Sequence, residues 1–260
     1  MPNGIYLSVI IPAYNEERRL PKTLEEIDKY LRKQSYDYEI LVVNDGSKDR
    51  TVEVAKNLIP QINPSTGLGV NAERGRSIKN LRVTGYEKNQ GKGYAVRFGM
   101  LEAKGNFRLF SDADNATSID QVEKMWLEFE AGYDIVIGSR DIKGAVLSPP
   151  QPPFRRFTGE VFGFLTNLIV GTWGISDTQC GFKGFTKKAA EDIFPKCKIN
   201  RFAFDPEILI IGKLAGYKIK EIPVYWKNDL ESKVKFKGMV KMGFDLFKIR
   251  LNLIKRIYIQ

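Results

Sequence analysis

The sequence of 260 residues contains no histidine and only two cysteines, Cys180 and Cys197. Without histidine there is no Ser-His-Asp or Cys-His nucleophile pair, no imidazole base, and none of the usual zinc ligand sets. Two thiols are too few for a four-thiolate metal site or a disulfide-stapled scaffold. Any metal must therefore rest mainly on oxygen ligands, which favours Mg2+ or Mn2+. Long hydrophobic runs are missing as well. The most apolar stretch, 161–175, is short and includes two Thr and one Asn. A membrane span needs about 20 mainly apolar residues, so this stretch is expected to form a buried or interface-lying helix. The opening segment MPNGIYLSVIIPAYN carries no basic leader, and no secretory signal is expected there. There is no Walker A pattern and no Gly-x-Gly-x-x-Gly after the first apolar run, which argues against a dinucleotide fold.

What is present is an ordinary globular balance, 43% hydrophobic and 28% charged, with a net charge of +10. The segment 227–260 holds nine Lys or Arg against three Asp or Glu, so most of the positive charge lies at one end of the chain. Such a surplus suits nucleic acid, an anionic membrane or a phosphorylated small molecule.

Between positions 1 and 140, short β-branched runs (6–12, 39–44, 81–86, 107–112 and 133–139) alternate with helical spacing at 20–33, 51–59, 93–103 and 118–131, with Ser118 or Asp120 near the start of the last. That alternation predicts an α/β domain with a mainly parallel sheet and helices on both faces. The segment 61–80 reads as a long surface loop, the proline-rich 143–157 as another, and 176–185 as a polar-aromatic turn. Helices are expected over 157–173 and 203–215, and a strand with an edge-type proline over 217–226. In the last segment Val240, Phe244, Phe247, Leu251, Ile254 and Tyr258 form one apolar stripe at spacings of three and four, with Lys241, Asp245, Lys248, Lys255 and Arg256 off it. This is a basic amphipathic helix.

Ligands of such sheets sit beyond the C-terminal strand ends, and all five ends are polar or glycine-rich. Asp112 and Asp114 share one side of an extended stretch. Two close carboxylates call for a cation between them, and a divalent ion shared with nucleotide phosphates satisfies that need. Asp45 follows an apolar strand, where it can accept from a base or ribose or cap the next helix. Lys92, between two glycines at a helix start, is a candidate phosphate ligand. Arg140, Arg155 and Arg156 are candidates for a second anion, since the guanidinium fork suits phosphate.

PAYNEE (12–17), VVNDGS (42–47), NQGKG (89–93), DADN (112–115) and GSR (138–140), in this order and spacing, resemble the family 2 glycosyltransferases, inverting enzymes of the GT-A fold. DTQCGFKGF (177–185) and FAFDPEIL (202–209) are similar to the branch that makes polyprenyl-phosphate sugars, the dolichyl-phosphate β-glucosyltransferases and, less closely, the dolichyl-phosphate mannose synthases. The resemblance implies a single Rossmann-like mixed sheet flanked by helices. A catalytic domain would span 1–225, its nucleotide-sugar half about 1–140 and its acceptor half about 141–225, with a basic helical segment over 226–260. It implies that Pro12, Tyr14 and Glu16 or Glu17 line the nucleotide pocket and that Asp45 holds the base. Asp112 would lie near ribose and metal, and Asp114 would hold Mg2+ or Mn2+ on the diphosphate. Arg140, with Arg155, would approach the acceptor phosphate, and Asp177, Gln179 and the Cys180-Gly181-Phe182 turn would flank the sugar. Asp205 takes the acidic position of the later motif. Asn115 stands where this branch commonly has glycine, and Asn also visits turn geometry.

The implied donor is a nucleoside diphosphate sugar, UDP-glucose ahead of GDP-mannose, and the implied acceptor is polyprenyl or dolichyl phosphate. A glycan hydroxyl acceptor would instead require a base, for which Asp177 or Asp205 is the candidate. A nucleic-acid partner is not expected, because the aromatic-basic sheet motif of single-strand binders is missing. The helices near 157–175 and 236–258 either rest on an anionic bilayer, placing the protein peripherally on the cytoplasmic face, or pack on the sheet or on a second copy.

Overall fold

The computed structural model describes residues 4–60, 78–150, 153–227 and 236–259, with the side chains of 153–155, 157, 236, 237, 239 and 240 left aside. Most of the expected 61–80 loop, positions 61–77, lies outside the described residues.

The β-branched runs become β1 (Leu7–Ala13), β2 (Tyr38–Asp45), β3 (Leu81–Tyr86), β4 (Phe107–Ser111) and β5 (Ile135–Ser139). The helical spacings become α1 (Leu20–Leu31), α2 (Thr51–Lys56), α3 (Lys92–Glu102) and α4 (Glu123–Glu130). Helix α1 buries Leu20, Leu24, Ile27 and Leu31, one face at helical spacing. A 3-10 turn over Ile119–Val122 precedes α4, and the Ser118 hydroxyl donates to Asp120 rather than capping the backbone.

Three expectations for the second half are corrected. The proline-rich stretch contains a short strand, β6 (Val146–Ser148), and α5 runs from Pro153 to Val170, so it starts ahead of the expected Phe157. Proline opens a helix readily because its missing N–H is unneeded there. The supposed turn at 176–185 is half strand, since β7 (Phe182–Thr186) follows Gly181 and leads into α6 (Lys187–Ile193). After α7 (Phe204–Leu214) the expected strand divides into β8 (Ile219–Pro223) and β9 (Tyr225–Lys227), and α8 (Phe236–Ile254) follows.

The main sheet has the order β3-β2-β1-β4-β7-β5-β8. Its pairs are parallel except where β7 runs antiparallel between β4 and β5, with Ser111 opposite Phe182 and Ile137 opposite Lys183. Strand β8, with Pro223, is an edge strand as expected, while β6 and β9 pair separately. Alternate strand residues feed two cores. Ile10, Val43, Phe110 and Ile137 pack with α3, α6 and α7 on one face. Val9, Ile11, Val42 and Val136 pack with α1 and α4 on the other.

The C-terminal helix has two apolar stripes, not one. Leu246 and Ile249 are buried, and Met242 and Leu253 pack against the same core. The stripe evident in the sequence faces outward, with Phe244 71% and Ile254 66% exposed and Phe247 and Leu251 also exposed. Of its described members only Tyr258 is buried, because the chain turns at Arg256 in the left-handed region (φ 56°). The neighbouring α5 likewise exposes Phe164, Leu165 and Leu168.

Buried Glu207 of α7 anchors this arrangement. Its carboxylate accepts from the Lys198 and Ile199 backbone N–H groups, both at 2.9 Å, and from the Tyr258 hydroxyl at 2.7 Å. Asn252 Nδ2 donates to the same hydroxyl oxygen at 2.9 Å. Removing the carboxylate leaves three donors without their acceptor, and the two buried ones, the Ile199 N–H and the Tyr258 hydroxyl, each cost about 1–3 kcal/mol. Glu207→Ala is expected to destabilise the fold by about 3 kcal/mol and Tyr258→Phe by about 1 kcal/mol, read from urea unfolding midpoints at constant m-value.

Candidate active site

Because β7 is reversed, its N-terminal end meets the C-terminal ends of β4 and β5 on one rim. That rim gathers Asp112 and Asp114 after β4, Arg140 after β5, Asp177–Gly181 before β7, and Asp45 at the end of β2. The start of α3 with Lys92 and the start of α7 with Asp205 close over it.

Asp112 is placed by two contacts with Gly181. Its N–H donates to the Gly181 carbonyl at 3.2 Å, and a Cβ on Gly181 would lie 2.1 Å from Asp112 Oδ2. Only glycine fits. The Asp112 carboxylate also meets Lys92 Nζ at 2.6 Å. Burial alone would push the Lys92 pKa down, but Asp112 and Asp205 beside it prevail and hold it above the usual lysine value. Asp114 lies two residues on and accepts the Ala116 N–H at 3.1 Å. Burial and the charge of Asp112 push its pKa above the ordinary carboxylate value. Asn115 adopts the left-handed turn (φ 53°) expected of a glycine substitute.

A divalent cation suits this pair. Its donors are hard carboxylate oxygens, both half-buried, and Asp114 is repelled by Asp112. Among the described residues no group of three or more His, Cys, Asp or Glu could hold a metal, so substrate oxygens would have to complete the coordination.

Asp45 has a different immediate task from the one expected. Its buried carboxylate accepts from Gln90 N–H at 2.7 Å, from Gly91 N–H at 3.0 and 3.1 Å, and from Asn89 Nδ2 at 2.8 Å. It neither faces open space nor caps α2. It clamps the turn that leads into α3. Gly91 sits at φ 108°, and a Cβ there would lie 2.4 Å from the Asn200 carbonyl oxygen.

The loop after β1 is tied to the loop after β2. Asn15 exchanges bonds with Ser47 and Lys48, the Glu16 N–H donates to Thr51 Oγ1 at 2.7 Å, and the Glu17 carboxylate accepts the Arg50 N–H. The Glu16 side chain pairs with Arg19 at 2.8 Å. Tyr14 is exposed and Pro12 half-buried beside them.

Asp177 and Arg140 form a two-pronged pair, with Nε to Oδ2 at 2.7 Å and Nη2 to Oδ1 at 2.8 Å. The Arg140 and Gln179 backbone N–H groups add to it, each at 3.0 Å. Burial opposes the Asp177 charge, yet Arg140 holds its pKa below the carboxylate norm. Arg140 also stacks on Trp226, 4.8 Å from the ring centroid. Gln179 Nε2 is buried without a partner. Asp205 is bonded at 2.5 Å to Lys183 Nζ, a fully buried ammonium that also donates to the Cys180 carbonyl. Burial pushes the Asp205 pKa up, with Lys183 and Lys92 acting against it. Burial also pushes the Cys180 thiol up to about 12, so it is no nucleophile at neutral pH. Arg156 pairs with Glu160 along α5 at 3.0 Å, and the Arg155 side chain lies outside the described residues.

Sequence reasoning missed Lys183 and Trp226 as parts of this rim, and it placed Asn89 and Gly181 there without their contacts to Asp45 and Asp112. Lys183 alone left a signal, a lysine flanked by aromatics and glycines in GFKGF. A buried lysine needs a carboxylate.

The model of the family described as glycosyl transferase family 2 matches residues 8–194. The chain belongs to that family. This glycosyltransferase is 39% identical to a dolichyl-phosphate beta-glucosyltransferase of Trichomonas vaginalis, over 96% of this chain and 74% of the relative. It is 36% identical to the human dolichyl-phosphate beta-glucosyltransferase, over 95% and 75% of the two chains. Among solved structures, mannosyl-3-phosphoglycerate synthase from Rubrobacter xylanophilus superposes with TM-score 0.63 at 17% identity, over 97% of this chain and 74% of that one. Glucosyl-3-phosphoglycerate synthase from Mycobacterium tuberculosis, in complex with Mn2+, UDP and phosphoglyceric acid, gives 0.60 at 17% identity, over 98% and 79%. The shared architecture is the GT-A fold.

Two outcomes follow for this glycosyltransferase. Gly181→Ala is expected to lower transfer at least about tenfold by displacing Asp112, with little change in thermal stability, as activity and melting curves on one preparation would read. Asp114 has a folded-state pKa above its unfolded value, so its ionised form opposes folding and the fold gains stability as pH falls through that raised pKa. Asp114→Asn is therefore expected to raise the unfolding temperature at about pH 7.5 while reducing transfer about a hundredfold or more. An unchanged or lower melting temperature would contradict the charge assignment.

Proposed function

We propose that this glycosyltransferase moves glucose from UDP-glucose to the phosphate of dolichyl or another polyprenyl phosphate, with inversion to a β-linked product. One observation carries the choice of acceptor. Both carboxylates suited to act as general base are engaged by cations, Asp177 by Arg140 and Asp205 by Lys183. A hydroxyl acceptor needs such a base. A phosphate monoester has a second pKa of about 6 and is already ionised near neutral pH. The names of the relatives support the sugar and the lipid.

In this reading Pro12, Tyr14, Glu16 and Glu17 border the nucleotide, and Asp45 shapes its base pocket through the Asn89–Gly91 turn. Asp114 and Asp112 hold Mg2+ or Mn2+, which when bound neutralises charge on the leaving diphosphate. Lys92 supplies a fixed positive charge beside Asp112. Arg140 keeps its Nη1 edge for the acceptor phosphate while Asp177 fixes its orientation. The Gln179 amide, lacking a protein partner, is suited to a sugar hydroxyl.

A lipid acceptor also gives the outward stripes of α5 and α8 a role. Among the described residues no helix is long and apolar enough to cross a membrane. Phe164, Leu168, Phe247 and Leu251, bordered by Lys248 and Lys255, suit contact with an anionic bilayer from its cytoplasmic side.

The purified protein incubated with Mn2+, dolichyl phosphate and radiolabelled UDP-glucose or GDP-mannose is expected to pass label into the organic phase from UDP-glucose only. Asp114→Ala should lose that label about a hundredfold or more, and turnover should stay level between about pH 7 and 9, where the acceptor phosphate is fully ionised. Label from GDP-mannose alone would reassign the sugar. Metal-dependent UDP binding without lipid label would move the acceptor to a glycan hydroxyl.

A further inference from the structure

We propose that a groove between α8, the 198–201 loop and the Asn89–Gln90 turn binds the phosphate headgroup of an anionic bilayer lipid. The groove encloses about 290 Å³, and Lys198, Arg201, Lys241 and Lys248 line it against the one acidic lining residue, Asp245. Lys241, Lys248 and Arg201 all act on the Asp245 carboxylate, and that single negative charge leaves the groove with a surplus of three positive charges. Four exposed cations around one carboxylate still repel each other on balance, and a further anion relieves that repulsion. Phosphate matches the charge of the site and the donor capacity of its lysine and arginine heads.

The walls are fixed before any ligand arrives. The 198–199 backbone and Tyr258, just beyond α8, both bond Glu207. The Asn89–Gln90 turn is held by Asp45, and the Tyr94 N–H donates to the Asn200 carbonyl at 3.1 Å, joining α3 to the 198–201 loop. Fixed walls separate a binding groove from a loose charged surface.

The choice of a lipid rather than a soluble phosphate rests on position. Lys241 and Lys248 share one flank of α8, next to the outward stripe of Phe244, Phe247 and Leu251. A helix lying with that stripe in the interface brings this flank to headgroup level. The inference rests on the bilayer contact proposed above, but not on the sugar or the acceptor.

Co-sedimentation with vesicles of phosphatidylcholine, with and without phosphatidylserine, tests it without any transfer reaction. Lys241→Ala/Lys248→Ala is expected to lower binding to the phosphatidylserine vesicles about tenfold or more and to leave binding to neutral vesicles unchanged. Arg250→Ala/Arg256→Asn removes equal charge from the same end of the chain outside the groove and is expected to lose clearly less. Phe247→Ser/Leu251→Ser should weaken binding to both vesicle types. Equal losses in the two charge pairs would reduce the effect to a general field and overturn the site, as would no preference for phosphatidylserine in the unaltered protein. Inorganic phosphate that abolished the groove-dependent part at constant ionic strength would make the occupant a soluble anion and overturn the headgroup assignment. Vesicle binding as expected, with no glucose reaching dolichyl phosphate, would remove the proposed reaction and leave the groove standing.

Discussion

The antiparallel insertion of β7 between β4 and β5 governs the chemistry of this molecule. In an all-parallel sheet the residues before a strand lie on the opposite rim from the residues after its neighbours. Reversing one strand brings Asp177–Gly181 to the same rim as Asp112 and Arg140. The Gly181 backbone can then touch the Asp112 carboxylate, Asp177 can take the Arg140 fork, and Lys183 enters the sheet within reach of Asp205. Each pair joins residues distant in sequence, so a shift of β7 by one residue would turn Lys183 to the other face and break the set.

Those pairings leave the rim with uneven freedom. Asp112, Asp177 and Asp205 each have a cation within 2.7 Å. Asp114 has a backbone N–H and the repulsion of Asp112. A carboxylate kept ionised near a like charge stores free energy that an arriving cation releases. That is a reason for the site to be incomplete in the protein alone, with substrate oxygens supplying the remaining ligands. The same distribution argues against proton abstraction, because protonating Asp205 would leave the Lys183 ammonium buried beside a neutral acid.

The sequence made much of this rim legible because its first five strands are continuous β-branched runs. Burial on both faces selects such runs, and polar residues begin where burial stops. That logic found Asp45, Asp112, Asp114 and Arg140 and placed Lys92 at a helix start. It failed at β7. The GFKGF stretch is mostly glycine and lysine outside its two aromatics, and its strand character comes from β4, a neighbour far away along the chain. It also failed to fix the partners of Asp45, since a carboxylate holding a backbone turn and one awaiting a ligand look alike in sequence. At α8 the periodicity was correct and incomplete. Helical periodicity identifies an apolar stripe but does not say which of two stripes meets the core. Leu246 and Ile249 took that place, and the more conspicuous Phe244, Phe247, Leu251 and Ile254 did not.

The inward and outward stripes of α8 act on one object. The inward one is locked by Tyr258 and Asn252 to Glu207, and Glu207 holds the 198–199 backbone. The 198–201 loop packs so closely on the turn before α3 that Gly91 and Gly93 have no room for a side chain, and the far side of that turn is held by Asp45. A force on the outward stripe therefore reaches the turn before α3 through buried, hydrogen-bonded side chains and close backbone contacts. Packed interiors transmit displacement rather than absorb it. On the proposed reading, an acceptor in a bilayer and a donor arriving from water have to meet at one rim. Two buried carboxylates, Glu207 under α8 and Asp45 under the turn before α3, keep the spacing of that helix and that turn fixed.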